Sequence, residues 1–165
     1  MKKVLILLGL FFGFSTMANA QTFNFGAGLG FLNHDADGNL VITVPVEFPM
    51  MHSGDTAIQL RTNADFILDG ETDVSLLISP LFQYRINPLE ILPIYTYVGP
   101  SFRWYIEDAF IDTRVGAWSF LGGVAGVRAS LADLISGYAE VTYNVGNAEN
   151  SFSISTGIIL SSWLQ

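Results

Sequence analysis

The chain has 165 residues, half of them hydrophobic, with 7 basic against 15 acidic side chains and a formal net charge of −8. That balance excludes nucleic acid as a partner, because neutralising phosphates requires basic side chains. Cysteine is absent, which excludes disulfides and a lipid-modified N-terminal cysteine.

Residues 1–20 read MKKVLILLGLFFGFSTMANA. Lys2 and Lys3 precede an apolar run from Val4 to Phe14, and Ala18-Asn19-Ala20 forms an A-x-A site before Gln21. These are the three parts of a secretory signal peptide, with cleavage expected after Ala20. The run of 11 residues falls short of the roughly 20 that a spanning helix needs. Residues 21–165 are expected to form one domain, with five arginines and no lysine. No apolar stretch after the leader is long enough for a transmembrane helix, so any membrane span must use strands.

In the first segment, TFNFGAGLGF, Phe23, Phe25, Ala27, Leu29 and Phe31 alternate with Thr22, Asn24, Gly26, Gly28 and Gly30. Period two predicts a strand, and each interior glycine would cost a helix about 1 kcal/mol relative to alanine. The second segment places Leu40, Ile42, Val44, Val46 and Phe48 on one face and Thr43 and Glu47 on the other. In the third, Ile58, Leu60, Thr62, Ala64, Phe66 and Leu68 oppose Gln59, Arg61, Asn63 and Asp65. In the fourth, Val74, Leu76, Ile78, Phe82 and Tyr84 oppose Ser75, Ser79, Gln83 and Arg85. The fifth sets Ile94, Val98, Pro100, Phe102, Trp104 and Ile106 against Tyr97, Gly99, Ser101, Arg103 and Tyr105. Segments six to eight follow at FLGGVAGVRA, GYAEVTYNV and SFSISTGIIL.

Short connections such as HDADGN, LDGETD and VGNAEN leave no room for a crossover helix. The fold class predicted is therefore all-β: an eight-stranded antiparallel up-and-down barrel. Strands of about 9 to 14 residues match the roughly 9 to 11 that a tilted bilayer span requires, which makes it a transmembrane barrel. Pro45, Pro80 and Pro100 lack a ladder donor, so each predicts a bulge or weak point.

A water-soluble barrel turns its apolar face inward, and a membrane barrel turns it to lipid. Glu47, Arg61, Asp65, Arg85, Arg103, Arg128 and Glu140 all fall on the less apolar parity, together with Gly, Ser and Asn. An eight-stranded lumen holds only packed side chains, and small residues beside paired charges suit it. These seven residues are the expected lumen charge network. Simple hairpin registers put Arg128 diagonally across from Glu140, and Glu47 near Arg61 and Arg85. Aromatic placement points the same way. Phe23, Phe25, Phe48, Phe82 and Tyr84 lie near one end of their strands, and Phe31, Phe66, Trp104, Tyr143 and Phe152 near the other, as two interfacial girdles would. Trp118 and Phe120 break the parity, which predicts a bulge in segment six or a start above the bilayer.

NPLEILPIYTYVGPSFRWY, FLGGVAGVRASL and YAEVTYNVG, with the alternation around them, make the chain resemble the small OmpA/OmpX-like (opacity-protein-like) outer-membrane barrels of Gram-negative bacteria. Barrels of that family usually end on an aromatic residue recognised during assembly, whereas this chain ends GIILSSWLQ, with Trp163 third from the end. The resemblance implies outer-membrane location and a periplasmic N-terminus. It implies outer-membrane lipid, lipopolysaccharide and the barrel-assembly machinery as partners, and a monomer. Loops at 33–39, 69–73, 107–116 and 146–150 would then face outward, carrying most of the acids. Such a rim either is simply solvated, the preferred reading, or binds divalent cations that bridge lipid headgroups.

For the lumen charges, a network that satisfies buried charge is preferred over a gate or proton path, and eight strands leave no continuous aqueous channel. The expected role is structural or surface-interacting, without enzymatic activity. Asn33 to Gly38 matches the first half of a calcium loop, but Val44 stands where the bidentate glutamate belongs, so no metal site and no cofactor are expected. One enzymatic alternative is a lipid A deacylase or acyltransferase using His34, Ser151 or Ser153, and Asp35 or Asp37. The other alternative is a soluble periplasmic lipocalin-like calyx, whose GxW signature is missing.

Overall fold

Alternating side chains give extended segments joined by tight turns. The computed structural model describes residues 23–34, 37–68, 74–86, 92–107, 114–115, 119–146 and 150–161. The signal peptide, Asp35, Trp118 and the closing Trp163 to Gln165 lie outside the described residues, as do the side chains of His34, Asp37 and Phe120. Nine strand segments run in order: β1 (Asn24–His34), β2 (Asp37–Ser53), β3 (Thr56–Ile67), β4 (Val74–Ile86), β5 (Ile94–Glu107), β6 (Arg114–Val115), β7 (Ser119–Ala132), β8 (Ile135–Val145) and β9 (Asn150–Ser161). β6 pairs only with the end of β5, through Ile106↔Val115 and Glu107↔Arg114. The other eight form the wall.

Each wall strand pairs antiparallel with its sequence neighbours, and β1 pairs with β9 from Asn24↔Ser161 to Asn33↔Phe152. The sheet therefore closes, and each of the eight wall strands has a neighbour on both sides. It is a closed eight-stranded antiparallel up-and-down barrel with no helix among the described residues.

β2 and β3 run past the expected end of their segments into a long ribbon that turns at Ser53 to Thr56. Gly54 takes φ 59° there, a conformation that only glycine adopts at no cost. Thr56 Oγ1 donates to the Ser53 carbonyl at 2.8 Å and closes the turn.

Pro45, Pro80 and Pro100 each keep one ladder paired and interrupt the other, and for Pro45 the interruption is in the β1–β2 ladder, whose pairing lapses between Phe25↔Val46 and Gly28↔Thr43. The β3–β4 register runs without a shift through Leu60↔Pro80, and the β2–β3 register runs without one through Pro45↔Asn63. Register shifts fall instead between Pro49 and Met51 and between Ser101 and Arg103. What Pro80 and Pro100 do is interrupt the β4–β5 ladder, whose pairing lapses between Ile78↔Phe102 and Phe82↔Val98. Two residues without an N–H share that stretch.

The polarity of the barrel is inverted relative to a water-soluble one. Leu29, Leu40, Val98, Val127, Val141 and Ile154 are exposed, while Glu47, Arg61, Asn63, Asp65, Arg103 and Glu140 are buried. This arrangement opposes the soluble calyx, whose apolar face would line the inside. Two apolar clusters interrupt the polar interior: Leu32, Val41, Ile67 and Tyr105 near the end opposite the β2–β3 turn, and Leu81, Tyr97 and Val124 on β4, β5 and β7.

Candidate functional site in the barrel lumen

Strand register sets the first contacts. Asn24 on β1, Glu47 on β2, Arg61 on β3 and Ser79 on β4 occupy one row across four strands, all with inward side chains. Glu47 is fully buried. Its Oε1 accepts from Arg61 Nε at 3.0 Å and from Gln59 Nε2 at 3.1 Å, and Arg61 Nη2 also pairs with it. Its Oε2 accepts from Asn24 Nδ2 at 3.1 Å and Arg128 Nη1 at 2.6 Å. Two guanidiniums thus share one carboxylate, which matters because a buried unpaired charge costs several kcal/mol.

Arg61 links this group to the far wall. Its Nη1 is ion-paired with Glu140 on β8 and donates to Tyr97 Oη at 2.9 Å. Glu140 also accepts from Asn63 Nδ2 at 2.8 Å, Tyr97 Oη at 3.0 Å and Ser155 Oγ at 3.2 Å. The Arg61 guanidinium carbon lies 4.4 Å from the Tyr97 ring centroid and 5.6 Å from that of Tyr138, so it gains cation–π attraction on top of its ion pairs. Gly126 and Gly28 make room for these rings. A Cβ on Gly126 would stand 2.4 Å from Tyr97 Cζ, and one on Gly28 2.4 Å from Tyr138 Oη.

A second group lies one step further from the β2–β3 turn. Asp65 accepts from Thr43 Oγ1 at 2.8 Å and pairs with Arg103 Nη1 at 3.2 Å. Arg103 Nη2 donates to Ser153 Oγ on β9 at 2.9 Å. Across both groups three arginines, Arg61, Arg103 and Arg128, meet three acids, Glu47, Asp65 and Glu140.

Two expected pairings take a different form. Arg128 lies diagonal to Glu140, since Gly126 is opposite Glu140 and Arg128 opposite Tyr138. No bond joins them: Arg61 occupies the space beside Glu140, and Arg128 reaches across to Glu47 and to Ser161 Oγ at 3.2 Å. Arg85 is not part of the Glu47 group and makes no ion pair among the described residues. The Glu47 row meets β4 at Ser79, and six residues of strand put Arg85 roughly 20 Å further along. Parity alone also under-reads the polar helpers. Asn24, Gln59, Asn63, Tyr97 and Tyr138 share the inward parity of the charges, and that shared parity was the available signal.

The girdle residues point outward. Phe25, Phe82 and Tyr84 are exposed towards the β2–β3 turn end, with Phe23 and Phe48 half-buried near them, and the Phe23 and Phe25 rings lie 6.3 Å apart. Towards the other end Phe31, Tyr143 and Phe152 are exposed, with Phe66 and Trp104 half-buried. Tyr143 is the direct cross-strand partner of Phe152. Ser151 and Ser153 face inward and are buried, and Ser153 is held by Arg103.

No family model matches the chain, and no curated protein sequence matches it either. Solved structures do. Neisserial surface protein A (NspA) superposes with a TM-score of 0.64 at 13% identity, over 84% of this chain and 95% of its own. The fold is that of the small OmpA/OmpX-like outer-membrane barrels. The same architecture is shared by the N-terminal β-barrel domain of Pseudomonas aeruginosa OprF (TM-score 0.51, 12% identity, 86% of this chain and 97% of its own). Ail, the attachment invasion locus protein of Yersinia pestis, gives 0.50 at 11% identity over 86% and 97%. These small barrels span almost their whole length on this chain, so the described strands account for a whole barrel of this kind.

Proposed function

We propose that the chain is exported by its signal peptide and resides as a monomer in the outer membrane, where it has a structural or surface-interaction role without an open pore and without enzymatic activity. The observation that carries this reading is the pairing of Glu47, Arg61 and Glu140 from β2 to β8 across the lumen, inside a wall whose outward residues are aliphatic and aromatic. Ion pairs that bridge the lumen occupy the space a channel would need. The exterior suits hydrocarbon, with aromatic side chains towards both ends. Its partners on this reading are outer-membrane lipid, lipopolysaccharide and the barrel-assembly machinery. The acyl-hydrolase alternative needs a serine at the outer leaflet beside His34, and the inward, buried positions of Ser151 and Ser153 do not favour it.

The test is fractionation of expressing cells, gel mobility before and after boiling, and planar-bilayer recording of the extracted protein. The expected result is an outer-membrane protein with heat-modifiable mobility and no sustained conductance. Recovery in the soluble periplasm would overturn the location, and steady open-channel current would overturn the closed lumen.

A further inference from the structure

Of the four arginines on the inward face of the wall, three are matched to acids. Arg61 holds Glu47 and Glu140, Arg128 holds Glu47, and Arg103 holds Asp65. Arg85, the last inward residue of β4, pairs with no acid among the described residues. Its N–H donates to the Asp55 carbonyl at 2.7 Å, which fixes its backbone beside the β2–β3 turn. The Asp55 side chain does not turn back to it: Asp55 is exposed and makes no ion pair among the described residues.

Unpaired donors collect around Arg85. Its Nε is buried without a partner, and so is Nε2 of Gln83, two residues back on the same face of β4 and 6% exposed. Two residues of strand span about 7 Å, so one small ligand can meet both. Arg85 stands directly opposite the half-buried Tyr95 on β5, and Tyr95 directly opposite Arg128 on β7. Two strand spacings, about 10 Å, therefore separate the backbones of the two arginines, with a phenol between them. Both Nη atoms of Arg128 are taken, one by Glu47 and one by Ser161. Arg128 thus shields the site from the Glu47 carboxylate.

The sign of these groups selects the ligand. A guanidinium N–H and an amide NH₂ can only donate. Water would accept from them but leave the Arg85 charge unmatched, whereas an oxyanion brings acceptors and opposite charge together, in the planar geometry that suits a guanidinium. Asn24 Oδ1, an unpaired acceptor towards the same end, is on β1, with β2 and β3 between it and β4. The donors face the lumen rather than the apolar wall, which favours a small soluble anion over the phosphate of a lipid headgroup.

We propose that Arg85 and Gln83, with Tyr95 beside them, form a binding site for a small phosphate-type oxyanion at the β2–β3 turn end of the lumen. Arg61 Nε, which donates to Glu47 at 3.0 Å, is the internal comparison, because its acceptor is already in place.

The experiment uses ¹⁵N-labelled protein extracted from expressing membranes into maltoside micelles, which carry no phosphate. Inorganic phosphate replaces chloride at constant ionic strength while the Arg85 and Arg61 Nε–H and Gln83 side-chain amide signals are followed. The expected result is a saturable shift at Arg85 and Gln83 with none at Arg61. Gln83→Leu should weaken the apparent affinity about tenfold, the loss of one hydrogen bond to a charged group. In Arg85→Gln the Gln83 signal should no longer respond. Arg85 has no acid partner to strand, so this variant should keep the heat-modifiable mobility of a folded barrel. A shift that grows linearly with phosphate, or one equal at Arg85 and Arg61, overturns the proposal by showing a bulk salt effect. Saturation of Gln83 that persists in Arg85→Gln also overturns it. So does a response to added phosphatidylglycerol without one to inorganic phosphate, which would show a headgroup site.

Discussion

Arg61 on β3 is ion-paired with Glu140 on β8, a residue 79 positions later in the chain and on the far side of the lumen. The same guanidinium holds Glu47, so removing it strands one carboxylate completely and weakens the other. Glu47 would keep Arg128, whereas Glu140 would keep only neutral donors. Arg61→Met is expected to lower barrel stability by about 3–5 kcal/mol, the usual loss when one member of a buried pair goes. Adding Glu140→Gln removes the stranded charge and should recover part of that loss. Urea unfolding in lipid, read by gel mobility, measures both variants. A double variant less stable than Arg61→Met would show that Glu140 does not depend on Arg61.

Arg128→Ala should be milder. Glu47 retains Arg61, Asn24 and Gln59, so the variant loses one charged hydrogen bond and the weaker contact with Ser161, about 1–3 kcal/mol. Single-channel recording of wild type and variant should give the same absence of sustained current. A large conductance loss in Arg128→Ala would mean that the lumen of the wild type conducts.

The architecture was legible because the strand signal is local. The alternation of Phe25, Ala27, Leu29 and Phe31 with small residues is complete within one segment, and turns such as Ser53 to Thr56 fix the neighbouring strand. Parity likewise assigns Arg61, Glu47 and Glu140 to one face. What parity lacks is reach across the barrel. Whether Arg61 or Arg128 meets Glu140 depends on the stagger at closure and on which long side chain fills the space first, and neither is written in one segment. The roles of Tyr97 and Tyr138 were hidden for a related reason: each takes its meaning from a glycine on another strand, Gly126 on the adjacent β7 for Tyr97 and Gly28 on β1, beyond β9, for Tyr138. Arg85 shows the converse error, with shared parity read as proximity although strand length separates it from Glu47.

The glycine positions give a sign test of this packing. Gly28→Ala and Gly126→Ala each drive a Cβ to within 2.4 Å of a tyrosine, and both rings lie against Arg61. Each substitution is expected to cost about 1–3 kcal/mol of overpacking strain. Gly123→Ala is the contrast. Gly123 faces outward, and its added Cβ would meet nothing closer than 3.8 Å, so its midpoint should stay within about 0.5 kcal/mol of wild type. Equal losses at all three positions would contradict the inward placement of Tyr97 and Tyr138.

The proline pair predicts where the wall is weakest. Pairing between β4 and β5 lapses from Ile78↔Phe102 to Phe82↔Val98, whereas the β3–β4 ladder continues unbroken from Thr56↔Tyr84 to Phe66↔Val74. Amide protection follows the local cost of opening, and a stretch where Pro80 and Pro100 supply no donors opens most easily. Hydrogen exchange in nanodiscs should therefore be faster at Phe82 and Val98, which flank the lapse, than at Leu76 and Trp104 on the same two strands. Pro80 is outward and exposed, so Pro80→Val adds a donor without disturbing the lumen charges. It should slow exchange across the β4–β5 seam while leaving the β7–β8 ladder unchanged. Uniform exchange rates along β4 and β5 in the wild type would show that the seam is as firmly closed as the rest of the wall.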